Sequence, residues 1–357
     1  MKNISICLNV LVILFILSCG NSSGTDPHLS IEEQQEELEI NLVGKWKIRR
    51  PISTGLTNKL ATPAECSLNE IEFFDDRSYI FSVSVSSDSG DEVKKVYRGN
   101  YDVSFDEQEG EQVVSKIVLM QADYTSSSTF PETGSIATLD EIVLSETNVS
   151  FRLRFGEGTN DFCLTGEAVN LSGDKEPELA PDAAENSNHQ LIQNEWRLVS
   201  VLATIEEEQN QEVICRFFED DFYNRCFDEM TGEFNQDCPQ AVTTTLLISG
   251  YGTYLFSYFD AAAVLISTEQ GNWRWRTDTT TPYTIFDVAN EDETFEESNQ
   301  SIEIVSIDDA NMTLIENAEG TDEEGNTFSF SVRYVLQLAS LPYQVSECGD
   351  FSSPTSN

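Results

Sequence analysis

The chain repeats itself, and what it repeats is a succession of short strands. Asn41-Leu42-Val43-Gly44-Lys45-Trp46-Lys47-Ile48 returns as Gln190-Leu191-Ile192-Gln193-Asn194-Glu195-Trp196-Arg197-Leu198. In each half a cysteine, Cys66 or Cys238, then precedes an apolar stretch, a tight turn and a second stretch. These are Ile71-Glu72-Phe73-Phe74, Asp75-Asp76-Arg77-Ser78 and Tyr79-Ile80-Phe81 in the first half. In the second they are Leu246-Leu247-Ile248, Ser249-Gly250-Tyr251-Gly252 and Thr253-Tyr254-Leu255-Phe256. Gly99-Asn100-Tyr101 then matches Gly271-Asn272-Trp273, and Leu144 to Phe151 matches Ile307 to Leu314 around a turn at Asn148 or Asn311. Landmarks kept in one order point to a duplication.

The period inside these segments is two. Tyr79, Phe81, Val83 and Val85 alternate with Ile80, Ser82, Ser84 and Ser86, giving one mostly apolar face and one mostly hydroxyl face, as a half-buried strand requires. Many such strands joined by Gly, Asp and Asn turns predict an all-β chain of antiparallel barrels or sandwiches. Helical periodicity is scarce. Its best candidate, Ile31 to Ile40, falls in a segment read as a tether over 19–40. Domains are expected at 41–171 and 190–351, with a polar, Pro-containing linker at 172–189 and a tail at 352–357. Between Trp196 and Cys238 the second half carries an insertion, with Glu206-Glu207-Glu208, that the first lacks; loops 205–238 are where a partner would be met.

Charge excludes one class of partner. Lys and Arg total 20 against 63 Asp and Glu, a net of −43. Nucleic-acid binding needs a cationic face, so it is not expected. The acids read as a solvated surface. Asp322-Glu323-Glu324-Gly325-Asn326 and Glu219-Asp220-Asp221 lack EF-hand spacing, so no metal is called for.

The amino terminus opens Met1-Lys2, runs apolar from Ile4 to Leu17, and closes Ile16-Leu17-Ser18-Cys19. The run is short for a bilayer span, which wants about 20 apolar residues, and suits a signal peptide over 1–18. The closing segment resembles the lipobox of bacterial lipoproteins. That resemblance implies cleavage before Cys19, acylation of its thiol and amine, and residence at the cell envelope, in the outer membrane at its periplasmic face or the cell surface. With Cys7 removed and Cys19 lipidated, Cys66, Cys163, Cys215, Cys226, Cys238 and Cys348 remain, an even number for disulfides in an exported chain. The repeat singles out Cys66 with Cys163 and Cys238 with Cys348, leaving Cys215 with Cys226 as a local staple. No two show C-x₂-C spacing, which argues against zinc.

Gly44-Lys45-Trp46 at a strand start, followed by the turn-linked meander, resembles the G-x-W opening of lipocalins. More closely, both halves look like the lipocalin-like domains of lipoproteins in Bacteroidetes-type bacteria. The resemblance implies two tandem lipocalin-like β-barrels, with Trp46 and Trp196 as plugs across one end of each. It also implies an arginine from a late strand against each plug, for which Arg152 or Arg154, and Arg333, are placed suitably. The second half departs from the motif, reading Asn194-Glu195-Trp196.

Catalytic signals are missing. His28 and His189 both fall outside the expected domains, the cysteines are assigned to bridges, and no G-x-S-x-G, P-loop or complete G-x-G-x-x-G occurs; Gly156-Glu157-Gly158 lacks the third glycine. No cofactor is expected, and the chain reads as a binding protein, not an enzyme. In one version a barrel is a cup for a small apolar ligand, with Phe81, Val83, Tyr101, Trp273 and Trp275 as wall residues. In the other, both barrels are packed solid and the loops touch a partner protein or glycan. Trp273 and Trp275 share a strand face and either fill the interior or line the cup. Cavity volume separates the versions, since small-molecule pockets run to about 300–1,000 Å³.

Overall fold

The computed structural model describes residues 29–49, 66–86, 92–121, 135–156, 168–205, 210–228, 233–235, 238–290, 293–298, 300–321, 327–339 and 348. The signal peptide, Cys19, His28, Cys163, the Glu206–Glu208 run, 322–326 and the tail lie outside these residues, as do the Cys66 side chain and the expected Cys66–Cys163 bridge. Among the described residues no helix is long and apolar enough to cross a membrane.

The first unit opens with α1 (Ile31–Leu42) and continues through β1 (Gly44–Arg49), β2 (Cys66–Phe73), β3 (Ser78–Ser86), β4 (Glu92–Gln108), β5 (Glu111–Gln121), β6 (Ser135–Leu144), β7 (Asn148–Phe155) and β8 (Val169–Lys175). Each strand pairs antiparallel with the next. β8 returns to β1, Trp46 opposite Lys175 and Ile48 opposite Gly173, which closes the barrel. The first barrel therefore runs past 171, and Gly173 to Lys175, read from sequence as linker, are strand: a short Gly-Asp-Lys segment pairs with β1 because closure leaves no other partner for that edge.

The second unit contains α2 (Asn188–Ile192), β9 (Glu195–Ile205), the short β10 (Gln211–Glu212) beside β9, α3 (Ile214–Cys226), β11 (Phe227–Asp228) and β12 (Glu233–Phe234). It continues with β13 (Thr243–Ile248), β14 (Thr253–Phe259), β15 (Leu265–Trp275), β16 (Ile285–Asn290), α4 (Phe295–Ser298), β17 (Gln300–Ile307), β18 (Asn311–Thr321) and β19 (Thr327–Leu338). β9 and β13 through β19 form the second closed eight-stranded antiparallel barrel, β19 pairing back to β9. The chain is two such barrels in tandem. The repeat falls on equivalent places: the turns after Leu144 and after Ile307 each hydrogen-bond from the backbone N–H of Ser145 or Asp308 to the carbonyl of Asn148 or Asn311, both at 2.9 Å.

Each barrel is entered the same way. A helix ends, and four residues after its last residue a fully buried tryptophan donates its indole N–H back to that carbonyl: Trp46 to Leu42 O at 2.8 Å, Trp196 to Ile192 O at 3.1 Å. The indole thus satisfies a helix-end acceptor that the barrel would otherwise bury unpaired. Gly44 stands at φ +132, a backbone conformation that residues with a side chain rarely adopt. In the second barrel Asn194 replaces it and its side-chain amide donates to Leu191 O at 2.9 Å.

The segment read as a tether is in part structural. Ser30 and Glu33 form a reciprocal capping box that starts α1, and the helix lays Leu38 and Leu42 onto the first core. The cation over Trp46 is Lys175, 5.2 Å from the ring centroid, and Arg152 instead forks onto Asp140.

The expected disulfide pairing is corrected. Cys215 bonds Cys348 and Cys226 bonds Cys238, with Cα separations of 5.3 and 5.7 Å. α3 begins beside Cys215 and ends at Cys226, so its two ends are tied to different parts of the barrel. Cys238 lies 12 residues after Cys226, which makes this bridge the local one, at the carboxyl end of α3.

The two barrels pack against each other through a polar seam. Lys45 reaches Glu70 at 3.1 Å and donates to Thr253 Oγ1 at 2.9 Å. Arg98 forks onto Glu195 and donates to Ser257 Oγ at 2.9 Å; Ser249 donates to Glu72, and Gln270 to Glu70. Ile80, Ser82 and Ser84, the outward face of β3, are buried as well. The linker docks too, Glu176 N–H donating to Lys45 O at 2.8 Å and Leu179 N–H to Gly250 O at 2.9 Å.

Candidate functional site: the chamber of the second barrel

The barrels share a topology and differ in filling. In the first, Trp46, Tyr79, Phe81, Ile117, Leu119 and Ile136 are wholly enclosed, and Phe81 meets Phe155 edge to face at 6.2 Å. Val83 and Tyr101 belong to the same core; the Tyr101 ring stands edge-on to Phe73 at 5.0 Å and its hydroxyl donates to Phe74 O. Burial pushes that phenol up to about 12.

In the second, side chains from all eight strands leave a chamber of about 220 Å³. Its wall is apolar: Leu198, Leu246, Ile248, Trp273, Phe286, Val288 and Leu314. Trp273 is fixed by an indole N–H bond to Ser249 O at 2.9 Å and by edge-on contacts with Trp275 at 5.0 Å and Phe286 at 5.7 Å. Gly271 makes room for the Tyr254 ring, which lies where a Cβ would be. The rim is polar, with Tyr254, Glu269, Asn290, Gln300, Glu316 and Tyr334. An open recess of about 760 Å³ at the mouth shares Gln300 and Glu316 with the chamber. The insertion sits toward this mouth, where Phe217 of α3 stacks on Tyr258 at 6.0 Å.

Of the tryptophans placed by sequence on one strand face, Trp273 lines the chamber and Trp275 lies outside it, against His189 and Tyr283. His189, expected in the linker, is wholly buried, because Ser187 caps α2 and turns the helix into the barrel end. An indole N–H can only donate, so Trp275 Nε1, 2.9 Å from Nδ1, places the imidazole proton on Nε2. Glu178 Oε1, 3.4 Å from Nε2, is the acceptor on that side, and the Gln193 amide nitrogen donates to His189 O at 3.0 Å. Burial lowers the histidine below its ordinary value, against the pull of Glu178. Trp273, two residues after Gly271, is a sequence signal for the chamber wall; nothing in the Asn186-Ser187-Asn188 stretch signals a buried histidine. Among the described residues no three of His, Cys, Asp and Glu converge as metal ligands.

No protein-family model matches the chain. No curated protein matches it either. Solved structures similar to it include a protein of unknown function from the DUF3598 family of Nostoc punctiforme, 12% identical, covering 85% of this chain and 99% of that one with a TM-score of 0.20. A mutant of the vaccine antigen Transferrin Binding Protein B from Haemophilus parasuis is 9% identical, covering 77% of this chain and 54% of that one with a TM-score of 0.19. Likenesses this distant carry no functional argument, and the chemistry of the chamber is read from its own residues.

Proposed function

We propose that the protein is a lipid-anchored, non-catalytic binding protein of the bacterial envelope whose second barrel holds one small, mainly apolar molecule. The observation that carries the reading is the 220 Å³ apolar chamber in the second barrel, where the described residues of the first form one enclosed core. That volume lies below the roughly 300–1,000 Å³ of drug-sized pockets and above the ~150 Å³ that admits benzene in an engineered core. The chamber thus falls short of the volume of about 300–1,000 Å³ expected of a cup for a small molecule, and the reading holds only for a ligand of about one ring with a short extension.

Anchoring rests on Leu17-Ser18-Cys19 and on the even number of cysteines that remains once Cys19 is set aside. Two or more acyl chains hold a protein stably where one binds reversibly, and we place the anchor in the outer membrane. A second reading, contact with a partner protein, is favoured by the insertion: Tyr223 and Phe227 stack at 4.7 Å beside Phe234, and Tyr223 is 46% exposed.

The test is native mass spectrometry of the full chain purified from its host, beside a Val288→Trp variant that fills the chamber. A small molecule carried by the wild type and lost from the variant supports the reading. A bare wild-type protein, or one that carries only another protein, overturns it in favour of the second. Cys19→Ala is expected to move the protein from the membrane to the soluble fraction with both barrels folded; membrane retention would remove the anchor.

A further inference from the structure

Of the residues that line the chamber itself, the charged ones are Glu269 and Glu316. An adjoining open recess shares Glu269 and is lined by Lys94, Lys95, Arg98 and Arg225, whereas the recess that shares Glu316 is lined by no lysine or arginine. Each carboxylate is held by a tyrosine: Tyr258 donates to Glu269 Oε2 at 3.1 Å and Tyr334 to Glu316 Oε2 at 3.0 Å. Among the described residues no hydrogen-bond donor is found on Oε1 of either. Of the cations in the recess beside Glu269, Arg225 is committed to Asp221 at 2.7 and 2.9 Å and to Pro239 O, and Arg98 to Glu195 and Ser257.

The repeat shows that the fold does not require these acids. Aligning Gly99 with Gly271 puts Tyr97 of the first barrel at the position of Glu269, and aligning Phe151 with Leu314 puts Leu153 at that of Glu316. The sister barrel thus places an aromatic and an aliphatic side chain, both packed in its core, where the second places two carboxylates. Glu316 is half-buried and Glu269 exposed, so water reaches both until a ligand closes the chamber mouth and leaves the carboxylates to be compensated by the ligand itself. A positive ligand group does so, and the field of a chain with net charge −43 draws cations toward it.

We propose that the chamber takes an organic cation: a one-ring or similarly compact apolar body against Trp273 and Phe286, with an ammonium group at the Glu269 and Glu316 rim. The inference rests on the reading of the chamber as a ligand site, and adds the class of ligand. Two rim carboxylates disfavour a free fatty acid or an aromatic carboxylate. An uncharged ring of the same shape fits the wall and leaves the carboxylates unanswered.

Three probes of one shape separate the possibilities: phenethylamine, propylbenzene and 3-phenylpropionate, titrated into the full chain by calorimetry and by Trp fluorescence at fixed ionic strength. Phenethylamine is expected to bind about ten-fold or more tightly than propylbenzene, the worth of one charge-assisted hydrogen bond, and phenylpropionate to bind weakest. Glu316→Gln or Glu269→Gln should weaken the amine by about ten-fold and leave propylbenzene unchanged. Propylbenzene equal to or tighter than the amine, or phenylpropionate tightest, overturns the cation proposal and keeps the ligand site. Failure of all three to bind the wild type overturns both. The wild-type ranking needs no variant, so the test stands even if a substitution prevents folding.

Discussion

Arg98 of the first barrel grips Glu195 of the second, its two terminal nitrogens 2.8 and 3.2 Å from the two carboxylate oxygens. Thr245 adds a bond to the same carboxylate at 2.6 Å. Burial pulls Glu195 up, yet Arg98 and Thr245 outweigh it and hold the group below its usual value. The two barrels are joined here by an ion pair that neither could satisfy alone.

Removing one partner leaves the other enclosed without compensation. Arg98→Ala is expected to lower the unfolding free energy by about 3 kcal/mol, the lower end for a broken buried pair because water can reach Glu195 from one side. Arg98→Met with Glu195→Gln should recover much of that loss. Urea unfolding measures both, and an Arg98→Ala variant as stable as the wild type would mean the seam is not formed. Because the folded Glu195 titrates below 4.5, its contribution is present above that pH and is lost as pH falls through the folded value.

Glu72 behaves in the opposite sense. It is fully buried, its Oε2 finds no partner, and burial raises it despite Lys45 and the bond from Ser249. A raised carboxylate costs stability above its unfolded value of 4.5 and stops doing so once both states are protonated. Glu72→Gln is therefore expected to stabilise the protein at pH 7 by roughly 1 kcal/mol, with the gain vanishing near pH 4. Destabilisation at pH 7 would contradict the assignment.

His189 gives a separate acid response. Its folded value is lowered from 6.5, so the neutral ring contributes stability that is complete above 6.5 and declines as pH falls from there toward the folded value. The thermal midpoint should drop between pH 7 and 5, and His189→Gln should flatten that window. An imidazole NMR titration at or above 6.5 in the folded protein would rule this out.

Bridge connectivity is directly checkable. A non-reducing digest should yield Cys215 linked to Cys348 and Cys226 linked to Cys238; a Cys238–Cys348 peptide would restore the repeat-based pairing. With sequence separations of 133 and 12, the chain-entropy relation gives about 5 and about 3 kcal/mol, so Cys215→Ser with Cys348→Ser should cost more.

The strands and their order were legible because Tyr79, Phe81 and Val83 alternate with small hydroxyl residues and because turns such as Ser249-Gly250-Tyr251-Gly252 repeat. The seam between barrels was not. Ser82, Ser84, Thr244, Thr245 and Ser257 have the composition of a solvated face and are buried, and only the partner surface distinguishes the two cases. Gly173 to Lys175 read as linker because a closing strand takes its order from a neighbour far away in sequence. The disulfides misled because duplication matched Cys238 to Cys66, while the insertion brought in two cysteines with no counterpart. For the chamber, Trp273 was visible on its strand. Glu269 and Glu316 were lost among 63 acids, and only the register of the closed barrel turns these two inward.

The central claim is that one barrel is hollow and the other solid. Crystals of the full chain under xenon pressure test it most directly, since xenon enters dry apolar chambers of this size. The account expects anomalous density in the second barrel, bounded by Trp273, Phe286 and Leu314, and none among Phe81, Val83 and Tyr101. Xenon absent from the second barrel, or equally present in the first, would contradict it.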